Sequence, residues 1–255
     1  MNAPRAVAKQ SYSKPSIVQL APVWMVLVRP ALALIMQGII VLLFSQLQIQ
    51  SPTVAVRNWW TVYGTLIDIV CLALIFWLTR TEGINLFSLI SFDKSRLKKD
   101  IPLGIGIFIV VFPLAVFGGS LLAGILAYGT FQPTLPEGAF IRSLPLWAVL
   151  YSRILWWIIW SFTEELTFQG YALPRLQALT KHKWLAMAWV TFGWSLQHSF
   201  LPFINFQHAL FLFIMFVPLT LALQLIYLRL GRLVPVIVAH WLMDLSSVLF
   251  MLQVV

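Results

Sequence analysis

Long stretches of this chain carry almost no charge. Ala31–Leu47, Trp59–Thr79, Ile101–Tyr128, Trp184–Phe200, His208–Leu228 and Leu233–Leu252 each hold at most one Asp, Glu, Lys or Arg. A helix of roughly 20 residues crosses a hydrocarbon core about 30 Å thick. Backbone amides in hydrocarbon must be satisfied within the segment, and none of these runs alternates as a strand would, so they are helices. The predicted fold class is therefore all-α, a polytopic transmembrane helix bundle. A hydrophobic content of 60% with 10% charge excludes an ordinary soluble domain. Cys71 is the single cysteine, so no internal disulfide forms.

One further span carries a pair of carboxylates. The whole sequence contains four Glu, and two of them, Glu164 and Glu165, are adjacent just after the apolar run Ile154–Trp160. An ionisable group inside a membrane is costly and marks a functional site. The preferred window for this span is Ile154–Leu179, with 145–153 as an outer extension and Pro174 permitting a kink. That makes seven spans. If Leu20–Leu47 is a hairpin instead of one helix following an interfacial approach broken at Arg29-Pro30, the count becomes eight.

The net charge of +9 is spread over loops rather than gathered into a patch, so it orients the chain and does not point to nucleic acid. Alternate flanking segments hold 14 Lys and Arg against 3. This places the N-terminus in the cytoplasm and the C-terminus outside. Residues 1–143 read as a cytoplasmic arm, retained and polar, with three membrane helices, and residues 144–255 as a core bearing the polar motifs.

Three intramembrane clusters stand out: Glu164-Glu165, Trp194-Ser195-Leu196-Gln197-His198, and His240 with Asp244. His240 and Asp244 are four apart and share a helix face. Gln169 stands in the same relation to Glu165 and is placed to hydrogen-bond it. Glu164 and Glu165 diverge by about 100° around a helix, so one faces the reacting centre and the other supports it. Counted at about 1.5 Å per residue, Glu164, His198 and Asp244 lie roughly 16 to 22 Å from the cytoplasmic ends of their spans. Their depths are therefore compatible.

At these clusters the sequence resembles the CAAX protease and bacteriocin-processing family of intramembrane endopeptidases. The family pattern is Glu-Glu-x-x-x-Arg, then an aromatic residue four before a His, then His-x-x-x-Asn or Asp. Glu164-Glu165, Trp194 with His198, and His240 with Asp244 match it in order. Two positions depart: Gln169 replaces the Arg, and Trp194 the common Phe. The resemblance implies a peptidase in which Glu164 is the general base, His198 helps it position water, and His240 with Asp244 orients or stabilises the tetrahedral intermediate. Glu165 is carried over with them, and Gln169 and Trp194 take supporting places.

The resemblance implies no cofactor. Two His and a Glu could also bind zinc, a reading less favoured than the glutamate mechanism. The implied partners are membrane lipid and a peptide or protein substrate, at a plasma or inner membrane. Two other classes stay open from the residues. A catalytically silent scaffold or bacteriocin-immunity protein would tolerate loss of Glu164, and a proton-coupled transporter would use the same residues as a relay. His182 and His208 match no motif; Asp68 and Arg153 read as paired or anchoring charges.

Overall fold

A computed structural model describes residues 18–136, 139 and 141–255. The basic arm expected at the N-terminus lies outside the described residues, apart from Val18. Helix α1 (Ala21–Gln46) runs without interruption through Arg29 and Pro30. The break expected there, and the alternative hairpin, are both replaced by one continuous helix. Proline removes one donor, the bond to the carbonyl four residues back, and membrane helices accept this when a neighbour covers the freed group. Here that group is the Val26 carbonyl, and Gly193 lies against it: a Cβ at Gly193 would come within 2.4 Å of Val26 O.

The chain continues through α2 (Pro52–Asn58), α3 (Trp60–Thr81) and α4 (Leu97–Ala123), which ends in a π-helical turn over Gly124–Tyr128. A short strand β1 (Arg142–Leu144) follows. Then come α5 (Leu146–Tyr151), α6 (Trp157–Glu165) and α7 (Leu173–Thr180), joined by π-helical stretches at Ser152–Trp156 and Leu166–Ala172. Together they make one 35-residue segment, Leu146–Thr180, with the Glu pair near its middle. Helices α8 (Lys183–Ser199), α9 (Phe206–Leu230) and α10 (Val234–Met251) complete the bundle, and β2 (Leu252–Val254) pairs in parallel with β1.

Among the described residues, six segments are long and apolar enough to cross a membrane, against the seven expected. The seventh expected span corresponds to α8. At 17 residues it is one residue shorter than α10 and at the lower end of the roughly 17 to 25 residues that a spanning helix uses. Outward residues such as Leu114 and Phe117, 71% and 73% exposed, are apolar, as a lipid-facing surface requires.

Inside, α1 packs on α3 and α8, α9 on α4 and α8, and α10 on α4 and α6. Two ion pairs join distant parts of the chain near the loops flanking residues 82–100 and 230–232. Arg232 Nε donates to both oxygens of Asp100 at 2.9 and 3.0 Å, and Arg175 binds Glu82 through Nε at 3.0 and 3.1 Å and through Nη2.

Candidate active site

The carboxylates arrive on α6, whose last two residues are Glu164 and Glu165. The Leu166–Ala172 stretch then widens to π-helical geometry before Pro174 enters the first turn of α7. Proline 174 cannot donate to a carbonyl one turn back, and a π-bulge is one way a helix absorbs that loss. Both Glu side chains are fully buried.

Glu164 is the hub. Its Oε1 accepts from Gln197 Nε2 of α8 and lies 3.6 Å from Arg29 Nη2 of α1. Its Oε2 lies 3.6 Å from His240 Nε2 and 3.9 Å from His198 Nε2. That oxygen makes no hydrogen bond within the protein, so its lone pairs face the two imidazoles unclaimed. Five of the residues singled out in the sequence therefore converge: Glu164, Glu165, His198, His240 and Asp244 occupy one place at matched depth.

The adjacent carboxylates divide as their angular separation requires. His240 Nδ1 and Glu165 Oε1 are hydrogen-bonded at 2.9 Å, while His240 Nε2 points to Glu164 and, at 3.6 Å, to Asp244 Oδ2. One imidazole thus bridges two side chains that diverge on their own helix, because its two nitrogens face opposite ways. With Nδ1 engaged by Glu165, His240 presents Nε2 to the centre. Asp244 is fixed in turn by Ser161, whose Oγ donates to Oδ2 at 2.5 Å.

Gln169 does not take the role expected of it. It is fully buried, yet neither its Oε1 nor its Nε2 has a hydrogen-bond partner. Glu165 turns instead to His240 across the bundle. Trp194, by contrast, does more than fill an aromatic place. Its indole Nε1 donates to His198 Nε2 at 3.0 Å, and its rings stack on Phe168 at 5.5 Å. A phenylalanine there could stack but could not donate. The His198 ring is held on its face by Phe216, centroids 3.8 Å apart.

Two participants went unassigned in the sequence. Arg29, also fully buried, donates from Nε to Gln197 Oε1 at 2.5 Å, pairs with Asp68 of α3 through Nη1 at 2.9 Å, and lies over the Trp160 ring at 4.4 Å. Arg29 and Gln197 therefore form a charged brace behind Glu164. The available signal was a lone cation with apolar residues on both sides, read as an interface because proline follows it. Gln197 stood inside the second motif without a role.

Zinc binds through lone pairs at about 2.0 to 2.2 Å. The Nε2 lone pair of His198, the one directed at Glu164, already accepts the Trp194 N–H. Among the described residues no group of three or more His, Cys, Asp or Glu has the arrangement of a metal centre.

Beside these groups lies a cavity of about 220 Å³. His198, His240 and Asp244 line it together with apolar side chains of α4 and α9, among them Phe112, Leu212 and Phe216. An apolar chamber bordered by a few convergent polar groups is what a small, well-defined ligand site requires.

A comparison with family models matches residues 145–246 to the type II CAAX prenyl endopeptidase Rce1-like model. That range contains all three motifs. Over residues 145–246 the chain is similar to the CAAX protease family. That likeness implies protease activity in the membrane, and the three helical segments that carry the family motifs, α6, α8 and α10, are those whose side chains meet around Glu164. No curated protein and no solved structure matches the chain. Arg29 and Asp68 lie outside the matched range, so the charged part of the brace behind Glu164 comes from the part of the chain that the family match does not cover.

Proposed function

We propose that this protein is an intramembrane endopeptidase that hydrolyses a peptide bond in a membrane-associated peptide or protein, with Glu164 as general base. The observation that carries this reading is the meeting of His198 and His240 around the one Glu164 oxygen that makes no hydrogen bond among the described residues. In the proposed reaction, Glu164 Oε2 takes a proton from water as the water oxygen attacks the carbonyl carbon. The oxyanion forms beside His240, whose ring is oriented by Glu165 on one side and faces Asp244 on the other. Collapse of the intermediate breaks the C–N bond, and Glu164 returns the proton to the leaving amine.

The brace supports this assignment. Gln197 and Arg29 engage Oε1, leaving the other oxygen for chemistry. His198, bound by Trp194 and stacked on Phe216, has a fixed ring plane, which suits it to positioning water beside the base. The apolar walls of the cavity suit a hydrophobic peptide, and the likeness to prenyl endopeptidases makes a prenylated peptide the first substrate to try.

The test uses the full-length protein in proteoliposomes with an S-farnesylated peptide and, in parallel, membrane peptides compared by mass spectrometry. Glu164→Gln and His198→Ala should each lower cleavage by at least about 100-fold while the protein still accumulates in the membrane. Unchanged cleavage in both variants would rule out the assigned base and its partner. A chelator should leave the rate unaltered, whereas loss of activity restored by added zinc would assign the reaction to a metal.

A further inference from the structure

One face of α3 is left open by the bundle. Leu66, Ile69, Ala73, Phe76 and Arg80 are exposed, whereas Ile67, Asp68, Cys71, Ile75 and Leu78 are buried. Residues three and four apart share a helix face, so the exposed positions form one stripe. From Leu66 to Phe76 the stripe is apolar and rises about 15 Å, the depth of one leaflet of a core about 30 Å thick. Arg80 stands at its end, with its guanidinium 5.0 Å from the centre of the Phe76 ring. A long cationic side chain in that place reaches out of the hydrocarbon to the headgroups.

Beyond Phe76 the stripe meets a cavity of about 500 Å³, distinct from the one beside Glu164. Phe76, Arg80, Gly83, Asn85, Leu86 and Phe87 line it. Asn85 Oδ1 accepts from the Phe87 N–H at 2.9 Å, so Nδ2 is the end of that side chain left to donate. Charge on this segment is one-sided. Its three acids, Glu82, Asp93 and Asp100, are each engaged by an arginine: Arg175, Arg96 and Arg232. Arg80, Lys94, Lys98 and Lys99 pair with no acidic side chain among the described residues. Phe87 and Phe92 are exposed beside these cations, and exposed aromatic residues among Lys and Arg suit the boundary of an anionic membrane.

We infer that Arg80 and this cavity bind the headgroup of an anionic phospholipid, one acyl chain of which lies along the α3 stripe. The guanidinium offers parallel donors to two phosphate oxygens, and Asn85 Nδ2 adds a donor from the cavity wall. The acyl chain covers Leu66, Ile69, Ala73 and Phe76. A zwitterionic lipid carries the same phosphate but brings its own ammonium, so the surplus of unpaired cations selects the anionic one. The site is independent of peptide hydrolysis and stands whether or not the protein cleaves a peptide.

The experiment places the full-length protein in phosphatidylcholine vesicles that also hold phosphatidylglycerol or phosphatidylcholine with a nitroxide on one acyl chain. A fluorophore on Ala73→Cys reports by quenching which lipid lies on the stripe. The same label on Leu114→Cys, exposed on α4, reports a lipid-facing surface away from the cavity. At position 73 phosphatidylglycerol should be favoured about fivefold, the increment of one basic residue at a membrane surface; at position 114 the two lipids should quench alike. Arg80→Gln should bring the preference at 73 close to one, and Arg80→Lys should keep part of it. Asn85→Asp, which retains an oxygen for the Phe87 N–H but sets a carboxylate in the cavity, should abolish it too. Both positions are exposed, so neither substitution disturbs the core. Equal quenching by the two lipids at 73 in the otherwise unaltered protein overturns the site. So does a preference that survives Arg80→Gln or Asn85→Asp, the result expected if the basic loops gather anionic lipid by their field alone. Energy transfer between labels at 73 on different molecules, without a lipid preference, would assign the stripe to a second copy of this chain and overturn it as well.

Discussion

Arg29 engages Asp68, Gln197 and Glu164 with one guanidinium, and no water reaches it. Removing it strands two carboxylates. Arg29→Gln should therefore cost about 3 to 5 kcal/mol, read as a lowered midpoint of thermal unfolding in detergent. Arg29→Met combined with Asp68→Asn should recover part of that stability, since it removes one of the two orphaned charges, yet leave kcat depressed because Glu164 has lost its brace. Recovery of kcat in the double variant would show that Arg29 serves only the fold. Gln169 poses the opposite case. Its buried amide has no partner, so Gln169→Met should raise stability by about 1 kcal/mol and preserve cleavage. The sequence shows both residues plainly, but not what they do. Position 169 is four residues from Glu165, which permits a contact without requiring one, and among the described residues none forms.

At the scale of helices, the contact between α1 and α8 is the one that aligns the brace. Val26 and Arg29 lie one turn apart on α1, Gly193 and Gln197 one turn apart on α8, and the close approach at Val26–Gly193 brings Arg29 to Gln197. Small residues at such crossings let membrane helices approach closely. Gly193→Ala would place its Cβ 2.2 Å from Val26 Cγ1. We expect it to cost about 1 to 3 kcal/mol and to lower kcat more than it raises KM. A variant with normal kcat would separate the helix contact from the chemistry. The helices themselves were legible in the sequence as apolar length. Their interruptions were less so. Pro174 announced an irregularity, which the structure resolves as a π-helical stretch rather than a sharp kink, whereas Pro30 announced a break that the packing of Gly193 removes.

For the whole molecule, the distribution of charge and the position of the cavity bear on each other. The basic loops over residues 80–100 and 229–232 lie at one end, joined by Arg232 and Asp100, and Arg142 with the β1–β2 pair lies at the other. Arg29 had been counted among the orienting charges, but it is buried and paired; without it alternate segments still hold 13 against 3. We predict that a cysteine introduced at Ser91 reacts with a membrane-impermeant maleimide only from the cytoplasmic side, and one at Val255 only from outside. The native Cys71 is buried and should contribute little background. Labelling of both from the same side would overturn this orientation.

Composition and spacing alone determined that the chain is a bundle of membrane helices and that Glu164, His198 and His240 are the groups to watch. Both follow from local properties, since the cost of placing backbone or charge in hydrocarbon is set by the segment that carries it. Tertiary structure alone decided which partner each buried group has. Arg29 and Gln197 are 168 residues apart, and no periodicity along a chain records a contact between helices that distant. The same holds for Arg142, whose place in the cavity lining depends on the pairing of its strand with Leu252–Val254.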